Sequence, residues 1–199
     1  MHQDLVVAGC NDAAGLVSAA MLKLAVNCCD RPCHSLIVKN PLDHQLPLIL
    51  QAGEVQSHAS TAFRLHLLVW ESPATSDERA MLFRALGAHR VATLIASSSE
   101  QARWSDAIPA AELSRAGVRM SGTLVEGFPE LAAAGPSVRR FLQIADDIRA
   151  GNHRSKLAQM AQAAAAADSP RAANDFFHHI VGTIAIEMPA VNIKEDPRA

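Results

Sequence analysis

Apolar residues recur along the chain in short continuous runs, separated by stretches in which they return every three to four positions. That is the alternation expected of strands and helices taken in turn. The run "DLVVAG" (4–9) reads as a buried strand. Asn11 or Asp12 can cap a following helix, because a side-chain oxygen there accepts from the free N–H groups of its first turn. Leu16, Val17, Ala20, Met21 and Leu24 then share one helical face. "HSLIVKN" (34–40) is a second strand, ended by Pro41. Residues 41–62, with Pro47, Gly53 and many polar positions, predict a long loop with one apolar segment, Leu46 to Leu50.

The remainder continues the alternation. "FRLHLLVWES" (63–72) is a strand closed by Pro73, and Ser76 is the expected N-cap of a helix that runs to Gly87. "HRVATLIASSS" (89–99) is a β-branched strand, after which Trp104 lies in a polar stretch. A short helix near 109–116, a weak strand near 118–125 and helices near 137–149 and 153–167 follow, with a further apolar segment at 180–186. The pattern predicts one α/β domain with a mostly parallel central sheet flanked by helices. Its core spans about residues 4–150, and a helical C-terminal third with a tail occupies 151–199. No internal repeat is visible.

Composition narrows the function. The chain has 199 residues, 49% hydrophobic and 19% charged, enough to bury a sizeable core. A formal net charge of -2 with no basic block argues against nucleic acid as a partner. No apolar run approaches the ~18 residues of a membrane span. The opening "MHQDLVV" has no leader-like region, so a cytoplasmic protein is expected. Cys28, Cys29 and Cys33 sit in "NCCDRPCH", but no second ligand cluster matches them, so reduced thiols rather than a zinc knuckle are expected there.

The strand-turn-helix corner "LVVAGCNDAAGLVSAAML" (5–22) is where α/β proteins often keep phosphate sites or catalytic acids. Gly15 is followed by Leu16 and Val17 rather than Lys-Ser, which removes a phosphate-cradling P-loop, and the glycine spacing fails the dinucleotide fingerprint. A third template is the DHH superfamily of metal-dependent phosphoesterases. If Gly15 is the glycine of that motif, Cys10, Asp12 and Ala14 fall in ligand positions and one of the three is retained. Glu71 ends the third strand, and Ser97, Ser98 and Ser99 stand where Asp-His-His would be needed. Hard divalent cations need several converging carboxylates. Asp12 and Glu71 are therefore the residues of an alternative reading, a diverged phosphoesterase or related hydrolase. Ser97 to Ser99 are expected to stop the strand and bond the next turn. His178 and His179 are adjacent on a helix and diverge. The residues predict no catalytic, metal or cofactor site.

With catalysis set aside, the order of elements resembles the proteasome assembly chaperone family, in particular the two related members that act together on the α ring of the 20S core. The likeness lies in the corner at 5–22, in "TLVEGFPELAAAGPSVRRFLQI" (123–144), and in residues 64–106, where Gly87, Arg90, Val91 and Ser97 to Ser99 match. It covers about half of the chain. The resemblance implies a non-enzymatic chaperone that binds proteasome α subunits as a heterodimer with a related chaperone subunit, in the cytoplasm and also the nucleus. Such chaperones often end in a hydrophobic–tyrosine tail. This chain has no tyrosine, which leaves the tail to its partner. Apolar anchors for a partner-binding surface are Leu48 and Ile49 in the long loop, Trp104, and Phe176 with Phe177.

Overall fold

In the computed structural model, five strands form one parallel sheet in the order β2-β1-β3-β4-β5. Residues 3–57, 63–87, 91–151 and 154–187 are described; Arg90 and the tail from 188 onward lie outside them. The strands are β1 Gln3–Gly9, β2 Cys33–Val38, β3 Phe63–Leu68, β4 Val91–Ile95 and β5 Arg119–Ser121. Between and after them run α1 Ala13–Asn27, α2 Leu46–Ser57, α3 Ser76–Ala85, α4 Ser98–Ala107, α5 Ala110–Ala116, α6 Leu124–Gly127, α7 Pro129–Ala132, α8 Pro136–Arg149, α9 Lys156–Ala166 and α10 Pro170–Glu187. The expected α/β architecture with a helical C-terminal part is the one observed.

Strand alternation sorts the core into two halves. Val6, Ala8, Leu68 and Ile95 face a cluster built with α1, α8, α9 and α10. Leu5, Val7, Leu65, Leu67 and Leu94 face the other, built with α2, α3, α4 and α5. Because helices cover both faces, β1 is buried along nearly its whole length and reads as a continuous apolar run. α1 is buried on almost every side from Gly15 to Val26, since α8, α9 and α10 cover the side that the sheet leaves open.

Several boundaries differ from the sequence reading for local reasons. The expected loop at 41–62 contains α2: Pro47 stands in the helix's first turn, where its missing N–H costs nothing. Thr75, not Ser76, caps α3, and it does so as a capping box in which Glu78 reaches back to the Thr75 backbone. The fourth strand ends at Ile95 rather than Ser99, because Ser97 caps α4 through the Glu100 N–H; positions 89 and 90 of the expected strand lie outside the described residues. That is the expected role of the serines.

Three proposed contact residues are core residues. Trp104 is 1% exposed. The polar stretch around it is the outer face of α4, and Trp104 is on the inner face, among the residues of the α2–α5 layer. Phe176 and Phe177 are buried where α10 packs against α1, α9 and β2. No helix among the described residues is long and apolar enough to cross a membrane.

Candidate functional site at the β1–β3 edge

The sheet order reverses direction between β1 and β3. In open α/β sheets, the crevice beyond the carboxyl ends of the strands at such a point is where ligands bind. Here β1 ends at Gly9, and the Cys10 N–H closes the turn onto the Val38 carbonyl at 2.7 Å. A Cβ on Gly9 would stand 3.2 Å from Cδ of Pro41, so the loop after β2 lies tight against the corner.

Asp12 caps α1 by accepting from the Gly15 N–H at 2.9 Å, as expected. Its second oxygen accepts from the Trp70 N–H at 3.3 Å, which ties the first corner to the end of β3. Gly15 has a steric reason: a Cβ there would lie 2.7 Å from Oδ2 of Asp12. Beyond Trp70, Glu71 accepts from the Ser99 hydroxyl at 3.4 Å, and Ser99 shares a 2.8 Å contact with Ser97. The cleft between these loops has a volume of about 270 Å³ and is lined by Asn11, Asp12, Lys39, Asn40, Glu71 and Ser72, among others. The two carboxylates singled out in the sequence therefore line one cleft.

Sequence reasoning missed the framework behind Ser72. Arg79 and Glu100, both fully buried, form a bidentate pair in which Nε donates to Oε1 at 2.9 Å and Nη2 to Oε2 at 2.8 Å. Glu100 also accepts from the Ser72 N–H, and Arg79 donates to the carbonyls of Ser72 and Ala74. Arg103 adds a 2.9 Å bond to the Ser72 carbonyl. In sequence, these residues look like ordinary polar positions of two surface helices, and only their pairing across helices identifies them.

Arg149, the last residue of α8, was missed as well. Its guanidinium lies 4.6 Å from the centre of the Trp70 ring. It is buried, and none of its three nitrogens has a hydrogen-bond partner among the described residues. Burial pulls its pKa down to about 10, against the nearby charges of Asp12 and Asp146, so it remains protonated at neutral pH. Asp146 accepts from the N–H groups of Leu124 and Val125 at the start of α6.

A divalent metal does not fit this set. Cys10 is fully buried with its thiol on Asn11, and burial raises its pKa, away from the thiolate a metal would need. Ala14 has no donor atom, the serines are neutral, and both Asp12 oxygens already hold backbone N–H groups. Among the described residues, no three His, Cys, Asp or Glu side chains group so as to hold a metal ion. Cys28, Cys29 and Cys33 are free thiols, and burial pushes Cys33 up to about 12.

Of the five expected contact residues, only Leu48 and Ile49 are exposed, at 64% and 43%, on α2. Pro47 of the same helix lines a groove of about 450 Å³ between α3 and the loop that precedes α2, with Met81 also on its wall. Compared with protein-family models, with curated proteins and with solved structures, the chain matches none.

Proposed function

We propose that this protein binds a small polar ligand in the β1–β3 cleft and does not hydrolyse it: it is a phosphoesterase-type scaffold whose metal ligands have been replaced. The observation that carries the reading is that Asp12 and Glu71, from the loops that follow β1 and β3, line the same cleft at the switch point. Carboxylates accept from hydroxyl or amine groups of a ligand, and the amides of Asn11 and Asn40 both donate and accept. The occupied oxygens of Asp12 and the serines after β4 weigh against a metal-assisted step.

Thermal unfolding of the full chain with a panel of sugar phosphates, nucleosides and nucleotides tests this, together with hydrolysis of an activated phosphodiester in the presence of Mn²⁺. At least one compound should raise the Tm, Glu71→Ala should reduce that rise, and no hydrolysis should appear above background. Hydrolysis requiring both Mn²⁺ and Asp12 would return the protein to the enzymes. A panel without a binder would end the reading.

The exposed Leu48 and Ile49 favour a second reading, the non-enzymatic chaperone. In that case α2 would be the docking surface, with a related chaperone subunit and proteasome α subunits as partners. Affinity purification from the native cell should then recover α subunits, and Leu48→Asp with Ile49→Asp should lose them at unchanged Tm. Recovery of neither partner would refute it.

A further inference from the structure

Arg149 poses an energetic problem that the fold does not solve. The residue is 8% exposed, and all three guanidinium nitrogens are buried without a hydrogen-bond partner among the described residues. A guanidinium carries five N–H donors, and leaving them unpaired in the interior is strongly unfavourable. Buried groups of this kind in native proteins call for an explanation such as an ion or ligand. The two nearby carboxylates do not provide one. Asp12 binds the N–H groups of Gly15 and Trp70, and Asp146 binds those of Leu124 and Val125.

The position of Arg149 indicates the ligand's chemistry. Its guanidinium lies over the ring of Trp70, whose backbone N–H donates to Asp12, the N-cap of α1. The N–H groups of Ala13 and Ala14 open that fifteen-residue helix, ahead of any intrahelical acceptor. A helix N-terminus combined with an arginine fork is an arrangement suited to an oxyanion.

We propose that Arg149 and the first turn of α1 bind the phosphate group of a small molecule, with the guanidinium as a built-in cation where a related scaffold would use a metal. This rests on reading the β1–β3 edge as a ligand site, and it names the group that the site recognises. The guanidinium lies over the partly buried Trp70 ring, 4.6 Å from its centre, so the indole is placed to report on an anion bound there. Asp12 and Glu71, the anions at the same edge, are left to the hydroxyl groups of the ligand. The charge of Asp12 is already offset by the two backbone N–H groups that it accepts from.

Calorimetric titration of inorganic phosphate into the full chain with EDTA present tests the site. The wild type should bind, and Arg149→Met should weaken binding by ~10-fold or more, the loss of a charge-assisted hydrogen bond. Arg149→Lys should fall between them. Phosphate should also change the tryptophan fluorescence, and Trp70→Phe, which leaves Trp104 as the only indole, should abolish that change even if the Arg149 variants fold poorly. Equal binding by wild type and Arg149→Met, binding lost to EDTA, or a fluorescence change that survives in Trp70→Phe would overturn the proposal. If the ligand panel stabilises the chain while phosphate does not bind, this inference falls and the cleft reading stands. If neither binds, both fall.

Discussion

Replacing Arg79 with leucine should be among the most damaging single changes in this protein. The substitution removes three short N–O contacts to Glu100, at 2.7, 2.8 and 2.9 Å, and the bonds to the carbonyls of Ser72 and Ala74. Glu100 would be left fully buried with the Ser72 N–H as its remaining hydrogen bond and the half-exposed Arg103 at 3.6 Å. Stripping one partner from a buried pair costs ~3–5 kcal/mol, mostly for the uncompensated charge left behind. A domain's whole stability is ~5–15 kcal/mol. Arg79→Leu with Glu100→Leu removes both charges and leaves only backbone groups unpaired, at ~1–3 kcal/mol. The double variant should thus be more stable than either single one. Urea unfolding at neutral pH of the wild type, both single variants and the double variant measures the coupling. A cost below ~1 kcal/mol for Arg79→Leu, or single effects that simply add, would refute the claim that this pair holds the loop after β3.

Trp104→Ala should lower stability by ~3–5 kcal/mol through the cavity it opens in the α2–α5 layer; a Tm close to wild type in thermal unfolding would put the indole back on the surface. Gly15→Ala should displace the Asp12 cap and cost ~0.5–2 kcal/mol by urea unfolding, whereas an unchanged midpoint would show that Asp12 does not hold the corner. Burial holds the His66 pKa below its ordinary 6.5, against the opposing hydrogen bond and charge of Asp4, so the unfolded chain binds the extra proton first as the pH falls. Stability should therefore be fully present above pH 6.5 and decline as the pH drops toward the lowered folded value. His66→Gln should flatten that part of the Tm–pH curve, and identical slopes would show that His66 is not the group involved.

The parallel sheet was legible in the sequence because its strands are short apolar runs punctuated by Pro41, Pro73 and the serines at 97–99, each a local signal. Asp12 was legible for the same reason, since an N-cap announces itself within three residues. The anchors Trp104, Phe176 and Phe177 were misread because burial depends on which side of a helix meets the rest of the chain. A polar stretch on a short helix masks its one inward residue, and adjacent phenylalanines can both be buried where a helix lies in a groove between others. Arg149, Arg79 and Glu100 were invisible for a related reason. A charged residue in an amphipathic helix reads as solvated, and only its distant partner, or the lack of one, shows that it is not.

The enclosure of α1 bears on how the chain folds. This helix is synthesised more than 100 residues ahead of α8, α9 and α10, three of the helices that cover it. Until α8, α9 and α10 arrive, β1 and α1 can form only a unit with an apolar side open to solvent. Contacts between such distant segments slow folding and leave the nascent chain exposed to aggregation. The first corner of this protein is thus among the last parts to be sealed, and the C-terminal helices act as its closing layer.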